Sequence, residues 1–95
     1  MITSIKQAKM LAAEYNKIKK DIKRLAFLKE HKKDFWIQLD NDHSMVCFKF
    51  SDDFDEDERM SIEDSVELKS FDDYHGWGDG VVTLFEFVGI TAEPC

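Results

Sequence analysis

Apolar residues recur every three or four positions from the start of the chain: Ile5, Ala8, Leu11, Tyr15, Ile18, Ile22 and Leu25. That is the helical period. It predicts one amphipathic helix from Ser4 to about Lys33, capped by Thr3 or Ser4. No Gly or Pro interrupts it, and Lys29, Lys32 and Lys33 lie near its end, where positive charge complements the helix dipole. At 1.5 Å per residue such a helix runs roughly 45 Å. A compact domain of 95 residues is only roughly 30 Å across. The helix must therefore break, project, or lie along a partner.

From Asp34 the period changes to two. Phe35, Ile37 and Leu39 alternate with Trp36, Gln38 and Asp40, and Val46, Phe48 and Phe50 alternate with Met45, Cys47 and Lys49. With the polar Asn41, Asp42 and His43 between them, the two runs predict a β-hairpin. SDDFDEDER, from Ser51, reads as an acidic loop. Ser61 to Phe71 has two readings: SIEDSVEL begins like a short capped helix, while SVELKSF alternates like a strand. The preferred reading is a turn and then a strand from about Ser65. DDYHGWGDG is a Gly-rich loop, VVTLFEFVGI a strand rich in β-branched and aromatic residues, and TAEPC a tail. Together they predict one α+β domain over residues 1–95. The long basic helix, residues 1–33, lays its apolar stripe on an antiparallel sheet of three to four strands in the acidic remainder, residues 34–95.

Composition supports a folded domain. The chain is 43% hydrophobic and 13% aromatic, well above a disordered acidic tail. Two cysteines, Cys47 and Cys95, make neither a disulfide framework nor a zinc set. Lysines interrupt the N-terminal apolar residues, so no signal peptide is expected. No run approaches the roughly 20 apolar residues of a membrane span, and a cytoplasmic setting is expected.

Charge changes the picture most. Residues 1–33 hold ten Lys/Arg against three Asp/Glu, and residues 34–95 hold three against seventeen. Such segregation within one small domain points to an interaction surface. Asp52, Asp53, Asp55, Glu56, Asp57 and Glu58 fall within seven residues, followed by Glu63, Asp64, Glu67, Asp72, Asp73 and Asp79. Their field attracts basic partners. Carboxylates on a rigid scaffold can occupy a basic groove in place of phosphates, because Lys and Arg pair with either. In general character this is similar to the DNA-mimic proteins that many phages use as small acidic inhibitors. The Gly-rich loop adds Tyr74 and Trp77, residue types that anchor interfaces.

Other chemistry reads weakly. The helix stripe, with Leu11, Tyr15, Ile18, Ile22 and Leu25, also fits the a and d positions of three heptads and so a dimer seam. Packing on the domain's own sheet is the commoner fate of such a stripe. Lys17, Lys20, Lys23, Arg24, Lys32 and Lys33 form a basic face, but the acidic remainder repels a polyanion, so no direct nucleic-acid contact is expected. Asp53, Asp55 and Asp57 match the first ligands of a calcium loop. The match then fails at Glu58, where Gly is needed, and at Asp64, where a bidentate Glu is needed. The glycines at 76, 78 and 80 precede a strand rather than a helix and lack basic neighbours, so they do not make a phosphate cradle. Cys47, His31, His43 and His75 stand singly, and neither a catalytic site nor a cofactor or metal is expected.

The sequence thus predicts a small acidic inhibitor or adaptor. Asp52, Asp53, Asp55, Glu56, Asp57, Glu58, Asp72, Asp73, Tyr74, Trp77 and Asp79 would dock on a basic site of a nucleic-acid-handling protein. From a phage, it would read as an anti-defence protein acting on a CRISPR or restriction complex. The alternatives are a structural module that self-associates through the helix, and a small-ligand binder using the aromatic loop.

Overall fold

A computed structural model describes residues 1–39, 44–73 and 89–94. The N-terminal stripe forms two helices, α1 (Ile5–Asn16) and α2 (Asp21–Glu30), in place of one long helix. Ser4 caps α1 by accepting the Gln7 N–H. The chain leaves α1 at Lys17 and is extended at Lys20, which precedes α2. Nothing local forces this break, since neither Gly nor Pro is present. Tertiary contacts do. The protein measures 35 × 25 × 21 Å, shorter in every direction than the unbroken helix. The turn also folds Tyr15 of α1 and Leu25 of α2 into one core. Arg24 stabilises it by donating its Nε–H to the Ile18 carbonyl at 3.1 Å, a group that an unbroken helix would bond internally.

The hairpin forms as its alternation dictates. β1 (Phe35–Leu39) and β2 (Ser44–Phe48) pair antiparallel, with Phe35 opposite Phe48 and Ile37 opposite Val46. Those four residues are buried, and the other face carries Trp36, Gln38, Met45 and Cys47. Complete burial of side chains such as Phe35 and Ile37 contributes roughly 1.5–3 kcal/mol each. A run of ring contacts continues from Tyr15 and Phe27 through Phe35, Phe48 and Phe50 to Phe54. Ile2 joins the same core, with its backbone bridged in parallel to Phe50.

Three further expectations change. The acidic loop is the start of a helix, α3 (Glu56–Ser65). Residues 66–71, expected as a strand, have no regular structure. The expected tail supplies β3 (Ala92–Pro94), which runs parallel to β1 on the edge away from β2. The sheet of the described residues is therefore mixed, in the order β2-β1-β3. Its parallel pairing is set by tertiary contact, including Ile37 N–H to the Thr91 carbonyl at 2.9 Å. Gly89 turns the chain ahead of it at φ 82°, a conformation that glycine adopts without strain. The strand expected over VVTLFEFVGI lies mostly outside the described residues. Among those that are described, no helix is long and apolar enough to cross a membrane.

Candidate functional site

The acidic residues nearest one another in sequence become a helix surface. Asp55 is the N-cap of α3, and its carboxylate accepts the Asp57 N–H at 2.8 Å and the Glu58 N–H at 3.3 Å. Asp55 followed three residues later by Glu58 is a capping signature legible in the sequence. Phe54, just before the cap, packs partly into the core. Ile62 anchors the helix at 2% exposure. At 100° per residue, the direction opposite Ile62 is shared by Glu56, Asp57, Met60 and Asp64, with Glu63 at its edge. All five are exposed. Two pairs of carboxylates, 56/57 and 63/64, thus lie about 10.5 Å apart along the helix. The half-exposed Met60 sits between them.

The internal partners of these groups are few. Arg59 lies 3.7 Å from Glu63, and both side chains are about half exposed. Exposed pairs of this kind contribute about 0–1 kcal/mol. Arg59 also lies over the Phe50 ring, 5.9 Å from its centre. Asp52 and Asp53 are exposed ahead of the cap.

Asp72 and Asp73 belong to a different construction. Their backbone N–H groups donate to the two oxygens of Asp21, at 2.9 and 2.6 Å. Asp21 is 7% exposed and Arg24 is 4% exposed. Arg24 donates to Asp21 at 3.0 Å and to the Ser70 carbonyl at 3.1 Å, and lies 3.4 Å from the exposed Asp72 carboxylate. Arg24 is therefore an interior group and not a member of the exposed basic face. Burial alone would raise the Asp21 carboxyl. The Asp72 and Asp73 amides, followed by Arg24, outweigh that and hold it below the ordinary carboxylate value. α1 adds Tyr15, whose hydroxyl donates to the Lys69 carbonyl at 2.8 Å, and Asn16, which bonds the backbone of Glu67 and Lys69. Burial pushes the Tyr15 phenol up. The irregular segment 67–73 is thereby clasped to the break between α1 and α2.

The expected dimer seam is divided by that break. Leu11, Tyr15 and Leu25 are buried in the protein's own core, Ile18 is half-buried in the connection, and Ile22 is 74% exposed. No continuous a/d stripe faces outward. Tyr74, Trp77 and Asp79 lie outside the described residues.

The outer face of the hairpin carries a groove that no motif in the sequence announces. Strand alternation places Trp36, Met45 and Cys47 there, and α3 and residues 66–70 form its other side with Glu63, Glu67 and Leu68. Its volume is about 490 Å³. Burial, then the Glu63 carboxylate, pushes the Cys47 thiol up to about 11, away from the reactive thiolate form. Among the described residues, no three His, Cys, Asp or Glu side chains converge as a metal set would.

No protein-family model, curated protein or solved structure matches the chain.

Proposed function

We propose that this protein works by docking the outward face of α3 onto a basic surface of another macromolecule, as an inhibitor or adaptor of a nucleic-acid-handling protein. The observation that carries the reading is the placement of Asp64 in the last turn of α3. Glu56, Asp57 and Glu58 occupy the first turn, where negative charge favours the helix. Helix stability accounts for those three. Glu63 and Asp64 occupy the last turn, which has no basic residue, and there negative charge opposes the dipole. Glu63 has Arg59, one turn back, as a local partner, but local stability does not account for Asp64, whereas a partner surface does.

Two carboxylate pairs flanking an exposed Met60 resemble an interface with an apolar centre and a charged rim. Lys and Arg side chains that hold phosphates would pair with these carboxylates instead. In this reading the protein acts in the cytoplasm, contacts no nucleic acid itself and performs no chemistry. The phage anti-defence role is the specific form that such an inhibitor would take in that setting. Self-association through the helix stripe is less well supported, because Leu11, Tyr15 and Leu25 already serve the core.

The test is capture from host lysate with a salt gradient. The protein is compared with a Glu56→Gln/Asp57→Asn/Asp64→Asn variant, which spares the Asp55 cap. A partner released by moderate salt and lost with the variant supports the reading. Equal capture by both proteins contradicts it.

A further inference from the structure

We infer that the groove between the outer face of the β1–β2 hairpin and α3 receives an arginine side chain, with one apolar neighbour, from a basic protein partner. The inference rests on the docking reading above and gives it a specific anchor. Trp36 lies opposite Cys47 in the hairpin register, and Gln38 opposite Met45, so Trp36, Cys47 and Met45 share the face turned away from the core. Leu68 faces them, and Glu63 and Glu67 add two carboxylates. The volume, about 490 Å³, falls within the range of roughly 300–1,000 Å³ typical of ligand sites.

Charge selects the occupant. No Lys or Arg is among the described lining residues; the half-exposed Arg59 lies 3.7 Å from Glu63 outside the groove, and among the described residues Glu67 has no such cation beside it. The negative field of Glu63 reaches the groove floor, where it adds to the upward push on the Cys47 thiol. An anionic ligand is repelled, and a purely apolar one gains nothing from the two carboxylates. An apolar stem with a cationic head uses both kinds of surface. Arginine fits better than lysine. Its methylenes lie along Met45 and Leu68, its planar guanidinium stacks on the Trp36 indole, and its forked donors suit a carboxylate. The groove adjoins the acidic face of α3, whose Glu63 belongs to both, so a basic segment can engage the two together.

A capped peptide with one arginine between leucines tests this, alongside the same peptide with citrulline, which keeps the shape and removes the charge. Binding is read from the Trp36 indole N–H signal and from the alkylation rate of Cys47 in a Cys95→Ser background. The arginine peptide should shift Trp36 and protect Cys47. Citrulline, or a Glu63→Gln/Glu67→Gln protein, should weaken binding about tenfold, the effect of losing a charge-assisted contact. Trp36→Leu should weaken it as well. No response at Trp36 and Cys47, or equal binding of the citrulline peptide, overturns the inference. Partner capture that is lost in the α3 variant but unchanged in Trp36→Leu and Glu67→Gln also overturns it, while leaving the docking reading intact.

Discussion

Replacing Asp21 by alanine removes the acceptor for two backbone donors and the partner of a buried guanidinium. The carboxylate takes the Asp72 and Asp73 N–H groups at 2.9 and 2.6 Å and Arg24 at 3.0 Å. Arg24, at 4% exposure, keeps the Ile18 and Ser70 carbonyls and the more distant Asp72 carboxylate. It is therefore partly compensated. Breaking a buried pair costs about 3–5 kcal/mol, much of it from the charge left behind. Domains of this kind are stable by about 5–15 kcal/mol in total, so the variant should sit close to unfolding. Urea denaturation should show a lower midpoint with an unchanged slope, and the melting temperature should fall by more than about 10 °C. Hydrogen exchange should lose protection first at the Asp72 and Asp73 amides. Exchanging the pair for Asp21→Leu/Arg24→Met should cost less than the sum of the single changes. A cost below about 1 kcal/mol for Asp21→Ala, typical of a surface pair, would refute this account of the clasp.

The folded Asp21 carboxyl is held below its ordinary value, so its stabilisation is present above the unfolded value of about 3.9 and is lost as pH falls through the folded one; Asp21→Asn should flatten the stability profile below about pH 4. Tyr15→Phe removes the bond to the Lys69 carbonyl and should cost about 1 kcal/mol, measured by urea unfolding. Asp64→Lys should raise stability by about 0.3–1 kcal/mol, because it reverses an unfavourable dipole contact, while weakening partner capture. Ile22→Asp, at an exposed site, should change the melting temperature little and leave the solution mass unchanged; a loss of self-association would revive the helix seam.

Local patterns made part of this structure legible. Alternation in Phe35–Leu39 and Ser44–Phe48 identified the hairpin and its buried face, because a period of two permits only one face inward. The stripe from Ile5 to Leu25 identified helix but concealed the break at residues 17–20. That break carries no Gly or Pro, and Tyr15 and Asn16 beside it find their partners far along the chain, as does Arg24 in its bond to the Ser70 carbonyl. Such partners have no local signature. Arg24 read as one of a basic helix face for the same reason, and nothing local singled out Asp21. The start of α3 was legible in Asp55 and Glu58 and was obscured by the density of acidic residues. β3 was not legible, since Ala92–Pro94 has no alternation and its pairing is decided by the neighbouring β1. The segregation of charge was plain in the sequence, but which carboxylates share a face followed only from the helix.

Amide chemical-shift mapping with the captured partner locates the docking surface residue by residue. The largest changes should fall on residues 56–64 and at Trp36, and they should diminish as salt is added. Changes centred on the lysines of α2, or spread over residues remote from α3, would contradict the claim that the acidic helix is the docking surface.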